Sequence, residues 1–255
     1  VVCEMGGKNA LIIDTSADLD EAVLAARHSA FGFQGQKCSA CSRLIVVDPA
    51  GPHGPAFRHV VDRLVEATKA LVVGDPTRPG TDVGPVIDAE AAAKIRGYID
   101  RGRASGLECH QIGVPTTGEF AERSASRLVP PTIFVNVPEN HELATDEIFG
   151  PVLAVMHASS FDEALRIANQ LPYKLTGGVF SRKPSHLEQA KREFRVGNLY
   201  LNRGITGALV GRQPFGGFGM SGVGSKAGGA DYLLQFVEPR ASCENTMRRG
   251  FAPEL

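Results

Sequence analysis

Ala10-Leu11-Ile12-Ile13-Asp14-Thr15-Ser16, with the stretch to Phe33 behind it, decides the fold. The first four residues form a short apolar run suited to a buried strand, and Asp14-Thr15-Ser16 are the residue types that cap helices. From Asp18 onward, Leu19, Ala22, Val23, Ala26, Ala30 and Phe31 recur at helical spacing. Asp and Glu fill the first turn, where the helix dipole favours them. The same order then repeats along the chain. Residues 44–47 read as a strand, 56–71 and 89–103 as helices, and 107–112, 132–135 and 152–156 as strands. A helix is expected over 161–169, a strand over 177–180, a helix over 185–194 and a last strand over 198–201. Strands and helices alternating at this spacing predict an α/β fold, a mainly parallel sheet with helices on both faces.

The chain has 255 residues, 43% hydrophobic and 22% charged, which allows a sizeable core and excludes disorder, collagen and coiled coil. A net charge of -1 gives no general pull toward phosphate backbones or anionic lipid, so no nucleic acid and no membrane is expected as a partner. No apolar run reaches the roughly eighteen residues of a spanning helix, and Val1-Val2-Cys3-Glu4 lacks the features of a signal peptide. The chain therefore reads as intracellular. It opens without Met and enters an ordered turn at once, so further chain is expected before Val1. Five cysteines, at 3, 38, 41, 109 and 243, are too scattered for a disulfide framework and are expected as reduced thiols.

Residues 204–229 carry ten glycines in twenty-six residues and must form a backbone-rich loop with close approaches. Within it, Gly217-Phe218-Gly219-Met220-Ser221-Gly222 matches the dinucleotide fingerprint in form. No apolar strand leads into it and no amphipathic helix follows, so it is rejected as a phosphate loop. Residues 232–237 are apolar and expected as an edge strand that pairs with another subunit, and the polar, basic stretch from Glu238 on as a surface arm.

Cys38 follows Gly35-Gln36-Lys37 between a helix and a strand, where backbone amides can face a developing negative charge and Lys37 can favour thiolate. Cys38-Ser39-Ala40-Cys41 also spells a CxxC, but no second CxxC or His pair completes a zinc site, and a strand follows where the thioredoxin motif needs a helix. No metal is expected. Glu4 precedes Gly6-Gly7, and Glu147 stands two residues before Phe149. Alone, each has a bland reading: a small core thiol, a solvated carboxylate, an exposed Glu beside a core Phe.

Together they do not. Glu4-Met5-Gly6-Gly7-Lys8, Gly35-Gln36-Lys37-Cys38 and Glu147-Ile148-Phe149-Gly150-Pro151, in this order, resemble the signature set of the aldehyde dehydrogenase superfamily. The 34-residue step from Glu4 to Cys38 also resembles that family's spacing between glutamate and nucleophile. Residues 206–217, Ser225-Lys226-Ala227-Gly228-Gly229 and the closing residues 244–251 resemble its bacterial pyrroline-5-carboxylate dehydrogenase branch, which oxidises glutamate γ-semialdehyde to glutamate.

The resemblance implies NAD as cofactor and a small-molecule aldehyde as substrate. Cys38 would attack the aldehyde carbon, hydride would leave to the nicotinamide, and Glu4 would activate the water that hydrolyses the thioester. Glu147 would bond the nicotinamide ribose, with Phe149 beside the ring and the backbone of Met5 and Gly6 near its amide. Gly207 and Ala208, small enough to leave backbone N–H groups free, would hold the substrate's α-carboxylate with Ser39, and Phe215 would belong to the same substrate group. The resemblance also implies a catalytic domain at 1–231 and an edge strand with surface arm at 232–255. The family's N-terminal nucleotide-binding domain, with its oxyanion-hole asparagine, is missing, so residues 1–255 alone are expected to bind NAD weakly and turn over poorly. The full-length parent would be a homo-oligomer in the cytoplasm, or in the mitochondrial matrix for a eukaryotic source. Two rivals stay open, a catalytically silent assembly module and a cofactor-free esterase built on Cys38 and Glu4.

Overall fold

The strands that carry the structure are apolar on both faces, as a sheet covered on both sides requires. Residues 1–247 are described in the structure, a computed structural model. After a short β1 (Cys3–Glu4), the sheet strands are β2 (Asn9–Ile13), β3 (Cys41–Val47), β4 (Glu108–Gln111), β5 (Thr132–Val135), β6 (Val152–Ala158), β8 (Thr176–Phe180) and β9 (Asn198–Leu201). Their order is β4-β5-β6-β3-β2-β8-β9, parallel throughout except β4, which runs antiparallel to β5.

Successive side chains point to opposite faces, so each strand divides its residues between two cores. Ala10, Ile12, Ile45, Ala154 and Met156 lie on one face, under α3 (Ala89–Ala104), α6 (Phe161–Asn169) and α7 (Pro184–Glu193). Leu11, Ile13, Leu44, Val46, Leu153 and Val155 lie on the other, under α1 (Leu19–Phe31) and α2 (Pro55–Lys69). The expected strands and long helices up to residue 201 are all present within a few residues of their expected ends. Two short helices, α4 (Glu119–Ser124) and α5 (Glu142–Thr145), were not expected, because one or two turns are too short to show a period.

Three expectations are corrected or refined. The α1 cap is Asp18, whose carboxylate accepts from the Asp20 and Glu21 amides, and not the 14–16 stretch. Asp14 instead accepts from the Ser16 and Ser181 hydroxyls at 2.9 and 2.6 Å, joining the ends of β2 and β8. The expected edge strand at 232–237 is a 3-10 helix, Ala230–Phe236. It has no strand beside it, so its backbone is satisfied locally, and Tyr232 and Phe236 meet edge to face with centroids 5.4 Å apart. The expected arm is exposed and without regular structure over 238–247, and its remainder lies outside the described residues.

The fingerprint-like segment is a strand pair. β10 (Phe218–Gly219) runs antiparallel to β7 (Tyr173–Lys174), and β11 (Gly222–Val223) runs antiparallel to β1. Its backbone is engaged in pairing, which agrees with its rejection as a phosphate loop.

Candidate active site

The loop that carries Cys38 is shaped by a left-handed run. Phe33, Gln34 and Gly35 all have positive φ, of 54°, 57° and 66°. Gly35 also packs directly on the Gly150 carbonyl, where a Cβ would collide with backbone, so only glycine fits. Asn9, at the start of β2, then ties the loop down. Its side-chain amide donates to the Cys38 and Ala40 carbonyls, both at 2.8 Å, while its oxygen accepts from the Thr176 amide at 3.0 Å. Asn9 is 3% exposed and went unnoticed in the sequence, where an Asn before an apolar run looks like an ordinary boundary.

Burial raises the Cys38 thiol above its ordinary pKa, the Ser39 and Cys38 backbone N–H groups oppose that rise, and the charges of Glu147 and Glu4 add to it. The expected help from Lys37 is not present. Its ammonium stands over the Phe33 ring, 5.7 Å from the centroid. Cys41, the second member of the CxxC, is buried, with its pKa pushed up to about 12, and its thiol donates to the Arg43 carbonyl. All five cysteines are free, and no group of potential metal ligands occurs among the described residues.

Glu4 is held from the far end of the chain. It pairs with Gly222 across β1 and β11, and the Met5 amide donates to the Ser221 carbonyl at 3.1 Å. Ser221 is fully buried, and its hydroxyl accepts from the Lys174 amide at 2.8 Å, so the glycine-rich loop is fastened below Glu4. Glu147 lies across the Gly6-Gly7 backbone and accepts from the Gly7 amide at 2.9 Å. A Cβ on Gly6 would occupy the position of that carboxylate. Phe149 has a positive φ of 59° and is 40% exposed.

These pieces close on one pocket of about 400 Å³, lined by Glu4, Met5, Gly6, Cys38, Glu147, Phe149, Leu175, Phe215, Gly216 and Ser221. It lies where β2, β3, β6 and β8 begin, so it opens at the amino ends of the parallel strands and not at the carboxyl ends where open α/β sheets usually bind ligands. A thiol, two carboxylates and an aromatic ring from three distant segments thus face one space.

Three expected substrate residues do not line it. Ser39 is 8% exposed and points its carbonyl to the Thr176 hydroxyl. Gly207 and Ala208 belong to a loop that closes on itself, the Gln213 amide donating to the Leu209 carbonyl and the Gly211 amide to the Gly228 carbonyl. Gly207 faces solvent. Phe215 and Gly216 are the residues of this part of the chain that line the pocket.

The profile of the Aldehyde dehydrogenase family matches residues 1–241. The chain belongs to that family. Among curated relatives, a 1-pyrroline-5-carboxylate dehydrogenase of Geobacillus thermodenitrificans is 49% identical over 244 residues, which is 96% of this chain and 45% of that protein. A crystal structure of proline utilization A from Bdellovibrio bacteriovorus superposes with a TM-score of 0.88 at 52% identity, covering 99% of this chain and 25% of that one. A Thermus 1-pyrroline-5-carboxylate dehydrogenase with bound NAD gives a TM-score of 0.81 at 47% identity, over 93% of this chain and 43% of that one. The chain spans about 45% of the length of the curated relatives it matches. No helix among its described residues is long and apolar enough to cross a membrane.

Proposed function

We propose that this chain is the catalytic part of an NAD-dependent dehydrogenase that oxidises glutamate γ-semialdehyde to glutamate. The observation that carries the reading is the one pocket that Cys38 and Glu4 both line, in a chain 46–49% identical to 1-pyrroline-5-carboxylate dehydrogenases. A nucleophile and a base on one small cavity are what an acyl-enzyme route requires.

Cys38 Sγ adds to the aldehyde carbon, giving a thiohemiacetal whose oxygen lies near the Cys38 and Ser39 amides that already lean on the sulfur. NAD held beside Glu147 and Phe149 would supply the acceptor for the hydride that leaves this carbon. Glu4 then takes a proton from water as the water attacks the resulting thioester, releasing the carboxylate product and the Cys38 thiol. Phe215 offers the aliphatic part of the substrate an apolar wall, and the Gly207-Ala208 backbone with Ser39 is assigned to its α-carboxylate.

The residues present fit the nicotinamide end of NAD. Glu147 offers a carboxylate to the ribose hydroxyls, Phe149 an exposed ring face, and Met5 and Gly6 backbone on the same cavity. Nothing comparable for the pyrophosphate occurs among the described residues, since the one segment of suitable pattern is consumed in strand pairing. The adenosine and pyrophosphate site is assigned to a segment outside residues 1–255.

The test is NADH formation from glutamate γ-semialdehyde by the chain together with the residues its gene encodes upstream. Cys38→Ala is expected to lower the rate by about 10³-fold or more. Undiminished turnover in that variant, or a parent chain that cleaves an activated ester through Cys38 yet forms no NADH from the semialdehyde, overturns the reading.

A further inference from the structure

The loop that walls the pocket is pinned at its base by a lysine that no step above uses. Phe215 and Ala227 exchange backbone hydrogen bonds at 2.9 and 2.8 Å, closing a loop from 215 to 227. One side of this loop carries Phe215 and Gly216, and its tip carries β11, which holds Glu4. At its base the Lys226 ammonium donates to the Gly216 carbonyl at 2.6 Å, to the Gly197 carbonyl at 2.5 Å and to the Asn198 side-chain oxygen at 3.4 Å. Asn198 Oδ1 also accepts from the Gly216 amide, and its Nδ2 donates to the Pro214 carbonyl at 2.9 Å.

The contact is too close to be incidental. Gly216's carbonyl rests on Gly197 where any Cβ would collide with it, so carbonyl oxygens of two segments and an amide oxygen converge on one point. Oxygen dipoles converging in this way repel one another unless a cation sits between them. Burial lowers the Lys226 pKa, the cost of keeping that charge in a half-desolvated place.

We propose that Lys226 is a positioning residue that draws the start of β9 and the Gly216 turn onto its ammonium, and thereby fixes Phe215 and Gly216 as the pocket wall opposite Cys38. Its role in selecting substrate rests on the reading of this pocket as the aldehyde site; its role in holding the wall does not. Loss of the ammonium releases Gly216, so Phe215 moves and the pocket loses its shape, while Cys38, fastened by Asn9 from β2, stays in place.

Lys226→Met keeps the chain length and removes the donors, and Lys226→Gln keeps a neutral donor. On residues 1–255, the rate of Cys38 alkylation by N-ethylmaleimide relative to iodoacetamide is expected to rise by about fivefold or more in Lys226→Met and less in Lys226→Gln, with the iodoacetamide rate within about twofold of the parent. Mass spectrometry must find the buried Cys41 unlabelled, which a merely unfolded variant fails. In the chain with its upstream residues, KM for glutamate γ-semialdehyde is expected to rise about tenfold with kcat nearly unchanged. An unchanged reagent ratio in Lys226→Met overturns the proposal whether or not the parent oxidises the semialdehyde. A parent that fails on the semialdehyde but shows the changed ratio overturns the functional reading and leaves Lys226 in its role. Labelling of Cys41 together with Cys38 in both variants assigns Lys226 to general stability and overturns it as well.

Discussion

Burial and two nearby carboxylates hold the Cys38 thiol above its ordinary 9.0, so little of it is thiolate near neutral pH in the absence of ligand. Alkylation of Cys38 by iodoacetamide is therefore expected to accelerate with pH through a midpoint above 9.0, and Glu147→Gln, which removes the larger of the two carboxylate contributions, to move that midpoint down. A wild-type midpoint below 9.0 would contradict the assignment. Glu4→Gln separates the two halves of the proposed chemistry. It should leave a first-turnover burst and then stall, with the acyl group found on Cys38 by mass spectrometry. Lys8 makes a third case. It is fully buried, its amine has no hydrogen-bond partner, and burial with Arg43 nearby lowers its pKa from 10.5 to about 7. Between these values the folded chain binds fewer protons than the unfolded one, so the Lys8 contribution to stability rises with pH through that window and is flat below about 7. Lys8→Met should flatten the slope and stabilise the fold by roughly 2–4 kcal/mol at pH 7, read from denaturant midpoints at pH 7 and 9.5.

At the scale of elements, the nucleophile loop depends on what precedes and supports it. Asn9 bonds three backbone groups from two other segments, so Asn9→Ala leaves buried carbonyls and an amide without partners. That should cost about 2–4 kcal/mol in equilibrium unfolding and slow Cys38 alkylation at fixed pH. Gly35→Ala combines a left-handed φ with a collision against the Gly150 carbonyl, and should destabilise by about 2 kcal/mol or more, since neither backbone segment is free to retreat. The contrast with Gly51 is useful. Its φ of 99° is also positive, but open space surrounds it, so Gly51→Ala should cost only the backbone strain.

Across the whole molecule, large apolar side chains stand exposed around the pocket and on its flanking loops. Met5, Phe33, Phe149, Phe218 and Met220 are all at least 40% exposed, and Phe33 reaches 65%. Exposed apolar side chains this numerous favour association. Residues 1–255 should therefore sediment as a concentration-dependent mixture, and an isothermal titration should find NAD binding weaker than about 1 mM. A micromolar Kd for these residues alone would place a complete dinucleotide site within them and contradict the division proposed here.

How much of this was legible depends on how far apart the cooperating residues lie. Strands 10–13 and 132–135 and helix 161–169 follow from their own residues, because side-chain period and capping chemistry act over a few positions. The Glu4, Cys38 and Glu147 segments were legible only through their joint resemblance to the aldehyde dehydrogenase signature set, each having a bland reading by itself. What no local pattern records is that Glu4 is held by Gly222, that Glu147 lies on Gly7 across 140 residues, or that Phe215 lines the pocket. Residues 232–236 carry strand composition yet form part of a 3-10 helix, with no strand beside them among the described residues. Sequence alone determined the α/β elements and the two-faced core, since those rest on local periodicity, and the resemblance of its motifs named the candidate reactive side chains. Tertiary structure alone decided which loop closes the pocket and which cation pins it, since those rest on contacts between segments that only the packed sheet brings together.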